Sequence, residues 1–143
     1  MGSSPLRLAL VGAGPWGMAL YNTIATTNLA SVVLVCTSSG RAPQNVAAEL
    51  SDDWMMAVDR SDIDGIVVAA TAAVQAQILR TAIDRGKPIL VEKPLSGSLG
   101  DALDVQRLVR ASGSLVLVDH THTFSPAFVR LKELARNSAI LSL

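Results

Sequence analysis

The sequence has few cysteines, no excess of charge and no long apolar run, and each absence excludes a class of protein. Cys36 is the single cysteine among 143 residues, so no disulfide can form within the chain. Twelve basic and twelve acidic residues cancel without any basic run, which argues against a nucleic-acid-binding surface. No stretch is apolar enough to span a bilayer, and the first residues lack the order of a signal peptide. We therefore expect a cytoplasmic protein that binds neither nucleic acid nor membrane.

Aromatic residues are also scarce, at 3%, although half of all residues are hydrophobic. The core must then be built from Val, Leu, Ile and Ala, which is typical of a parallel sheet buried by helices on both faces. Short apolar runs alternate with segments of helical periodicity, as expected for repeated βα units. The sequence therefore predicts an α/β fold with a doubly wound parallel sheet, forming one domain over residues 1–143.

The expected elements follow this alternation along the chain. Strands are predicted at residues 6–11, 31–36, 65–69, 88–92 and 114–118. Helices are predicted after residue 15, at 44–50, at 74–83, at 99–111 and from 125 onwards, with a short helix or turn at 52–59. The helix at 99–111 has apolar positions at helical spacing: Ala102, Leu103, Val105, Leu108 and Val109. On the last helix the apolar side chains are predicted to face inward: Phe128, Leu131, Leu134 and Ala135. Residues 140–143 are predicted to form an unpaired strand that could pair with another copy of the chain.

A glycine-rich turn follows the first predicted strand and opens the first helix. Its residues match the spacing G-x-G-x-x-G: Gly12, Ala13, Gly14, Pro15, Trp16 and Gly17. In that pattern the first glycine permits a tight turn, the second lets a pyrophosphate approach the backbone, and the third lets the helix pack against the strand. The N–H groups at the helix start then face the phosphates. The alternative is a tight strand-to-helix turn without a ligand, but the strand before it and the helix after it favour a Rossmann-type NAD(P) site.

The residues after the second predicted strand bear on the choice of nucleotide. Dinucleotide domains that bind NAD carry an acidic residue there, which holds the ribose hydroxyls. This sequence instead has Thr37, Ser38, Ser39 and Arg41. Hydroxyls and an arginine suit a 2′-phosphate, so the sequence favours NADP over NAD. An ordinary polar loop, without any role in choosing the nucleotide, is the alternative.

A second motif, Glu92-Lys93-Pro94, ends the fourth predicted strand. The carboxyl ends of strands in an open α/β sheet form the ligand-binding edge. A lysine there can exchange a proton with a substrate hydroxyl when desolvation lowers its pKa. Pro94 fixes the backbone, and its bond to Lys93 is a candidate for the cis form. From residue chemistry alone, Lys93 could equally be a surface lysine at the end of a strand.

The order of three segments, 12–17, 86–95 and 119–127, resembles the Gfo/Idh/MocA family of glucose–fructose oxidoreductases and inositol dehydrogenases. The resemblance implies hydride transfer between NAD(P) and an alcohol or ketone of a sugar-type substrate. It implies that Lys93 contacts the reacting hydroxyl and the nearby cofactor ribose, positioned by Glu92 and Pro94. It places His120 near the nicotinamide end of the cleft. Residues 124–127 are most similar to members that act on sugars or sugar nucleotides.

Departures from the family pattern qualify this expectation. Gln75 stands where many relatives carry histidine, and Ala70 and Thr71 lie in a turn where relatives usually have proline. We still expect all three to contact the cofactor. The family's second domain, which carries most substrate contacts and the usual oligomer interface, lies outside this sequence. We therefore expect cofactor binding at micromolar to millimolar concentration, with little or no turnover by these residues alone.

Three other interpretations remain. The chain could be a non-catalytic nucleotide-binding or assembly module that kept the fold. A methyltransferase that uses S-adenosylmethionine also has a glycine-rich first turn, but it leaves Lys93 without a role. A metal site at Asp119, His120 and His122 is open on residue types, yet the resemblance does not support it, and His122 is interpreted as a loop or core residue.

Overall fold

The computed structural model describes residues 4–38 and 44–137 and shows six parallel strands in one sheet. The strands are β1 (Leu6–Val11), β2 (Ala30–Cys36), β3 (Glu49–Ser51), β4 (Gly65–Val68), β5 (Ile89–Glu92) and β6 (Val116–Asp119). The helices are α1 (Pro15–Ala25), α2 (Met55–Asp59), α3 (Ala72–Asp84), α4 (Leu99–Ser112) and α5 (Pro126–Asn137), with a 3-10 turn at Thr121–Phe124. The predicted α/β class and parallel sheet are confirmed.

The parallel strands lie in the order β3-β2-β1-β4-β5-β6, and the side on which new strands are added changes between β1 and β4. The chain builds the sheet outward from β1 on one side and then outward from β4 on the other. At such a switch point the loops after the two central strands diverge and leave a crevice at the carboxyl edge. Two backbone hydrogen bonds join the strand ends at this edge. Gly12 N–H donates to the Cys36 carbonyl over 2.8 Å, and Ala69 N–H donates to the Val11 carbonyl over 2.8 Å.

Both faces of the sheet are buried, because side chains alternate across each strand and helices cover both sides. On one face Leu10, Val35 and Val67 pack with Tyr21 of α1. The other face holds a larger cluster beneath α2, α3 and α4, including Leu34, Ile66, Val68, Ile78, Leu79 and Val105. This two-sided burial confirms the doubly wound arrangement.

Helix α4 shows how local signals set the bounds of an element. Ser98 Oγ accepts a hydrogen bond from Asp101 N–H over 3.1 Å, which satisfies one of the free donors at the helix start. Gly113 ends the helix with φ +69°, a left-handed conformation that costs glycine least. Serine just before a helix and glycine just after it are signals that the sequence itself carries.

The predicted helix at 44–50 is wrong. Asn45 has φ 62°, outside the helical region, and residues 44–48 form a turn and irregular backbone. Glu49–Ser51 instead forms β3, paired in register with residues 34–36 of β2. Because this pairing is long-range, it overrides the local helical pattern. The short helix or turn expected at 52–59 is confirmed as α2.

The apolar positions of α4 are only partly buried, and the predicted inward face of α5 is mostly exposed. Val105 is buried, whereas Leu103 and Leu108 are exposed. On α5, Phe128, Leu131 and Leu134 are exposed, and Ala135 is half-buried. Helical periodicity marks an apolar face without showing whether other residues cover it. The strand expected at residues 140–143 lies outside the described residues.

Candidate functional site

The glycine turn between β1 and α1 is fixed by close contacts with its neighbours. Gly12 has φ +102°, and a Cβ built on it would lie 2.4 Å from the Ala69 carbonyl oxygen. A Cβ on Gly17 would lie 2.0 Å from the Gly12 carbonyl oxygen. Neither backbone atom could yield, so residues larger than glycine would displace β4 or separate α1 from the turn. The first and third glycines of the motif therefore have the structural roles predicted for them.

Gly14 differs from these two glycines, since a Cβ on it would meet nothing within 4 Å. It is the N-cap residue of α1, and no side chain caps that helix end. Pro15 follows at the first helical position and carries no N–H. The first N–H groups of α1 therefore belong to Trp16 and Gly17, where the positive end of the helix dipole favours an anion. Open space above Gly14 leaves room for that anion to approach the backbone.

A cavity of about 550 Å³ lies at the carboxyl edge of the sheet over this turn. Its described lining contains seven of the predicted cofactor residues: Gly12, Ala13, Gly14, Thr37, Ser38, Ala70 and Thr71. Ser39 and Arg41 lie outside the described residues. Turns after β1, β2 and β4 are thus brought together on one cavity, as expected at a topological switch point.

Sequence reasoning missed two polar or aromatic residues of this cavity, Asp52 and Trp54. Both follow β3, a strand that overlaps the helix predicted from the sequence at residues 44–50. The available signal was an acidic residue directly after Glu49, Leu50 and Ser51, but three residues give too little alternation to reveal a strand.

A second cavity of about 180 Å³ brings together four of the other predicted site residues, Trp16, Glu92, Lys93 and His120. It is lined by Trp16, Glu92, Lys93, Asp119, His120, Thr121, His122 and Thr123. Lys93 is exposed at the end of β5, and its bond to Pro94 is cis, as the sequence had left open. Trp16 also belongs to the glycine turn, so the second cavity adjoins the start of α1. Pro15, Gly17 and Pro94 stand beside the two cavities without lining them.

Glu92 brings a buried acidic group to the wall of the second cavity. Burial raises the pKa of its carboxyl, and the Asp119 carboxylate raises it further, while the Lys93 backbone N–H and ammonium act in the opposite direction. Glu92 and Asp119 are register partners on adjacent strands, which explains their proximity. Among the described residues, Glu92 Oε1 has no hydrogen-bond partner. A proton is therefore held more readily at this carboxyl than at an exposed one.

Gln75 lies beneath the cavities rather than in their walls. It is 1% exposed, and its Nε2 donates to the Glu92 carbonyl over 3.3 Å. Gln75 Oε1 is buried without a partner among the described residues. In this position Gln75 holds the end of β5, and its predicted contact with a cofactor stays a prediction.

Cys36 lines the first cavity without offering a reactive thiolate. Burial raises the pKa of the Cys36 thiol to about 11, so the thiol stays protonated at neutral pH. Within residues 4–38 and 44–137, no group of three or more His, Cys, Asp or Glu side chains could hold a metal ion. Over the same residues, no helix is long and apolar enough to cross a membrane.

A parallel sheet with a glycine turn at its switch point, and cavities at that same edge, defines a dinucleotide-binding α/β domain. The sequence narrows this class further. The chain belongs to the oxidoreductase family with an NAD-binding Rossmann fold, GFO_IDH_MocA, whose family model matches residues 6–120. The resemblance inferred from the three motifs is confirmed, and neither the methyltransferase nor the non-catalytic interpretation is favoured.

Several curated relatives of the chain are dehydrogenases. An inositol 2-dehydrogenase of Saccharopolyspora erythraea is 31% identical over 98% of this chain and 44% of the relative. A 4-carboxy-2-hydroxymuconate-6-semialdehyde dehydrogenase of a Sphingobium strain is 26% identical over 85% of this chain and 40% of the relative. A scyllo-inositol 2-dehydrogenase (NAD(+)) of Bacillus subtilis is 29% identical over 89% of this chain and 39% of the relative. The chain thus spans about two fifths of the length of these relatives.

Solved structures support the same fold. The apo scyllo-inositol dehydrogenase of Lactobacillus casei superposes with a TM-score of 0.86, at 19% identity, over 96% of this chain and 43% of that chain. At that identity the likeness extends to the fold alone.

Proposed function

We propose that this chain is the NAD(P)-binding domain of an oxidoreductase that transfers hydride between the nicotinamide and an alcohol or ketone carbon of a sugar or cyclic polyol. The names of the inositol dehydrogenase relatives support that substrate class. One observation carries the proposal: the cavity over the glycine turn and the cavity at Lys93 lie along the same sheet edge, next to the start of α1. A bound dinucleotide would occupy this edge with its nucleotide half in the first cavity and its nicotinamide towards the second.

The first cavity fits the nucleotide half of the cofactor. Open space above Gly14 and the uncapped start of α1 suit a pyrophosphate, which backbone N–H groups would hold. Thr37 and Ser38, after β2, would lie towards the adenosine ribose. Ala70 and Thr71 would bound the cavity on the side of β4. The nicotinamide, which supplies the hydride-accepting carbon when bound, would then extend towards the second cavity.

The second cavity fits the chemistry that accompanies hydride transfer. Oxidation of an alcohol requires that its hydroxyl proton be taken up while the hydride leaves the carbon. Lys93 and His120 are the basic groups with side chains suited to hold that proton, and both line this cavity. Glu92, the preceding residue, would orient the Lys93 amine that accepts the proton. The rest of the substrate site would come from the part of a longer protein that this chain lacks relative to its relatives.

Cofactor binding tests this proposal, measured by calorimetry with NAD⁺ and with NADP⁺. We expect the 143-residue chain to bind dinucleotide in the micromolar to millimolar range and to show little turnover with inositols. Gly14→Ala should weaken binding at least about tenfold, because the new methyl group would occupy the space needed by the pyrophosphate.

The control for this substitution is Gly100→Ala in α4, which adds the same methyl group away from both cavities. It should leave binding unchanged. Thermal unfolding of both variants shows whether the fold is kept, as expected from the open space at Gly14. Failure of the unmodified chain to bind either dinucleotide would overturn the proposed function.

The choice between NAD and NADP was predicted from Ser38, Ser39 and Arg41, of which Ser38 lies in the described cavity wall. A hydroxyl at that position can donate to a ribose oxygen or to a 2′-phosphate. It therefore suits both nucleotides, and the expected preference for NADP has no support from this residue alone.

A further inference from the structure

We infer that Asp52 makes the adenosine end of the cleft select NAD against NADP, with a carboxylate supplied by β3 in place of the acidic residue that β2 lacks. This inference rests on the proposed function, because it concerns which nucleotide the same cavity accepts. It reverses the preference predicted from the sequence.

The pairing of β3 with β2 sets the position of Asp52. Ser51 is the register partner of Cys36, the last residue of β2. Thr37 N–H then donates to the Ser51 carbonyl over 2.8 Å, which extends the pairing one residue beyond the strand. Asp52 follows directly, so its backbone leaves the sheet beside Thr37 and Ser38. All three residues line the first cavity.

Asp52 is the charged side chain of that cavity wall. Among the described lining residues, no other carries a formal charge at neutral pH. Asp52 is exposed, and its carboxylate makes no hydrogen bond or ion pair to another described residue. Its neighbour Asp53 differs on both points: it does not line the cavity, and its Oδ1 accepts from Met55 N–H over 2.8 Å at the start of α2. The carboxylate of Asp52 is thus available to a ligand.

The two nucleotides differ at one group, which a carboxylate distinguishes. The 2′-hydroxyl of NAD can donate a hydrogen bond to a carboxylate, as it does to the acid after β2 in other dinucleotide domains. The 2′-phosphate of NADP has no proton to donate when ionised and repels a negative charge. At a separation of several ångströms in a solvent-exposed cleft, such repulsion amounts to about a tenfold loss of affinity.

The test compares NAD⁺ and NADP⁺ affinities for the 143-residue chain and for Asp52→Asn by calorimetry. We expect the unmodified chain to bind NAD⁺ more tightly, and Asp52→Asn to tighten NADP⁺ binding about tenfold at low salt. The gain should shrink as salt is added, because the repulsion that Asp52→Asn removes is screened. NAD⁺ binding should weaken or stay the same in that variant.

Asp53→Asn is the matched control, since it removes the same charge one residue away and keeps a side chain that can cap α2. It should leave the NADP⁺-to-NAD⁺ ratio within about twofold of the unmodified chain. Tighter NADP⁺ binding by the unmodified chain, or equal ratios in all three proteins, would overturn the role of Asp52 while leaving dinucleotide binding intact. Absence of binding to either nucleotide would overturn the proposed function and this inference together.

Discussion

The centre of the sheet and its β6 edge have similar apolar sequences and very different surroundings. All four residues of β4 are buried, between β1 and β5 and beneath helices on both faces. In β6, Leu117 is 57% exposed, and Phe124 in the turn that follows is 82% exposed. Leu131 of α5 is 55% exposed. Apolar residues at the centre stabilise the fold by burial, whereas the same kinds of residue at the β6 edge form an exposed apolar surface.

That surface agrees with the proposed domain organisation. The chain spans about two fifths of the length of its curated relatives. Under the proposed function, a substrate domain would pack against the β6 edge. Lys93, His120 and the second cavity lie at the same side of the sheet as β5 and β6. A domain seated there would complete the substrate site and bury the apolar residues at once.

The largest expected effect comes from one leucine-to-alanine change made in each region. Leu79 in α3 is fully buried, so Leu79→Ala should lower the free energy of unfolding by about 2–5 kcal/mol. Leu131→Ala removes the same atoms from a half-exposed site and should cost less than about 1 kcal/mol. Urea unfolding followed by circular dichroism measures both. Equal losses would show that α5 is covered in solution, by a second copy of the chain or by residues outside the described range.

The sequence could predict features that depend on neighbouring residues, but not those that depend on contacts between distant parts of the chain. The glycine turn and the Ser98 cap were predictable because each depends on a few residues adjacent in sequence. Strand β3 was not, since its three residues form a strand only by pairing with β2. Asp52 was missed for the same reason: its place in the cavity depends on that pairing. Contacts between distant residues leave no local pattern to read.

Exposure of the α5 leucines was unpredictable for another reason. Amphipathic spacing shows that a helix has an apolar face, but the covering partner is not encoded in the helix itself. The resemblance to a two-domain family was the available clue. A second domain of the kind that the resemblance implies would be such a covering partner.

A smaller effect is expected from Glu92, the buried acidic residue at the boundary of the two regions. Burial and Asp119 raise the pKa of its carboxyl in the folded protein above the unfolded value. The folded state therefore favours the protonated form, and its stabilising contribution is lost as pH rises through the folded pKa. Glu92→Gln keeps a neutral side chain at every pH. The variant should be more stable than the unmodified chain at pH 7.5, with the difference shrinking towards pH 4.

Thermal unfolding across that pH range measures this difference. Lys93, Asp119, His120 and His122 also line the cavity beside Glu92 and are the same in both proteins. A stability difference that does not vary with pH would show that the Glu92 carboxyl stays ionised in the folded protein and that its pKa is not raised.

The smallest effect is expected on α5, where Arg130 Nη1 and Glu133 Oε2 form an ion pair of 2.9 Å, with the two side chains 69% and 53% exposed. Pairs at this helical spacing in water contribute about 0.2–0.5 kcal/mol, and salt weakens them. A double-mutant cycle with Arg130→Ala and Glu133→Ala should give a coupling energy in that range at low salt and near zero in 1 M salt. A coupling well above about 1 kcal/mol that resisted salt would require water to be excluded from the pair. The helix would then be covered in the isolated chain, and the distinction between a stabilising centre and an uncovered edge would fail.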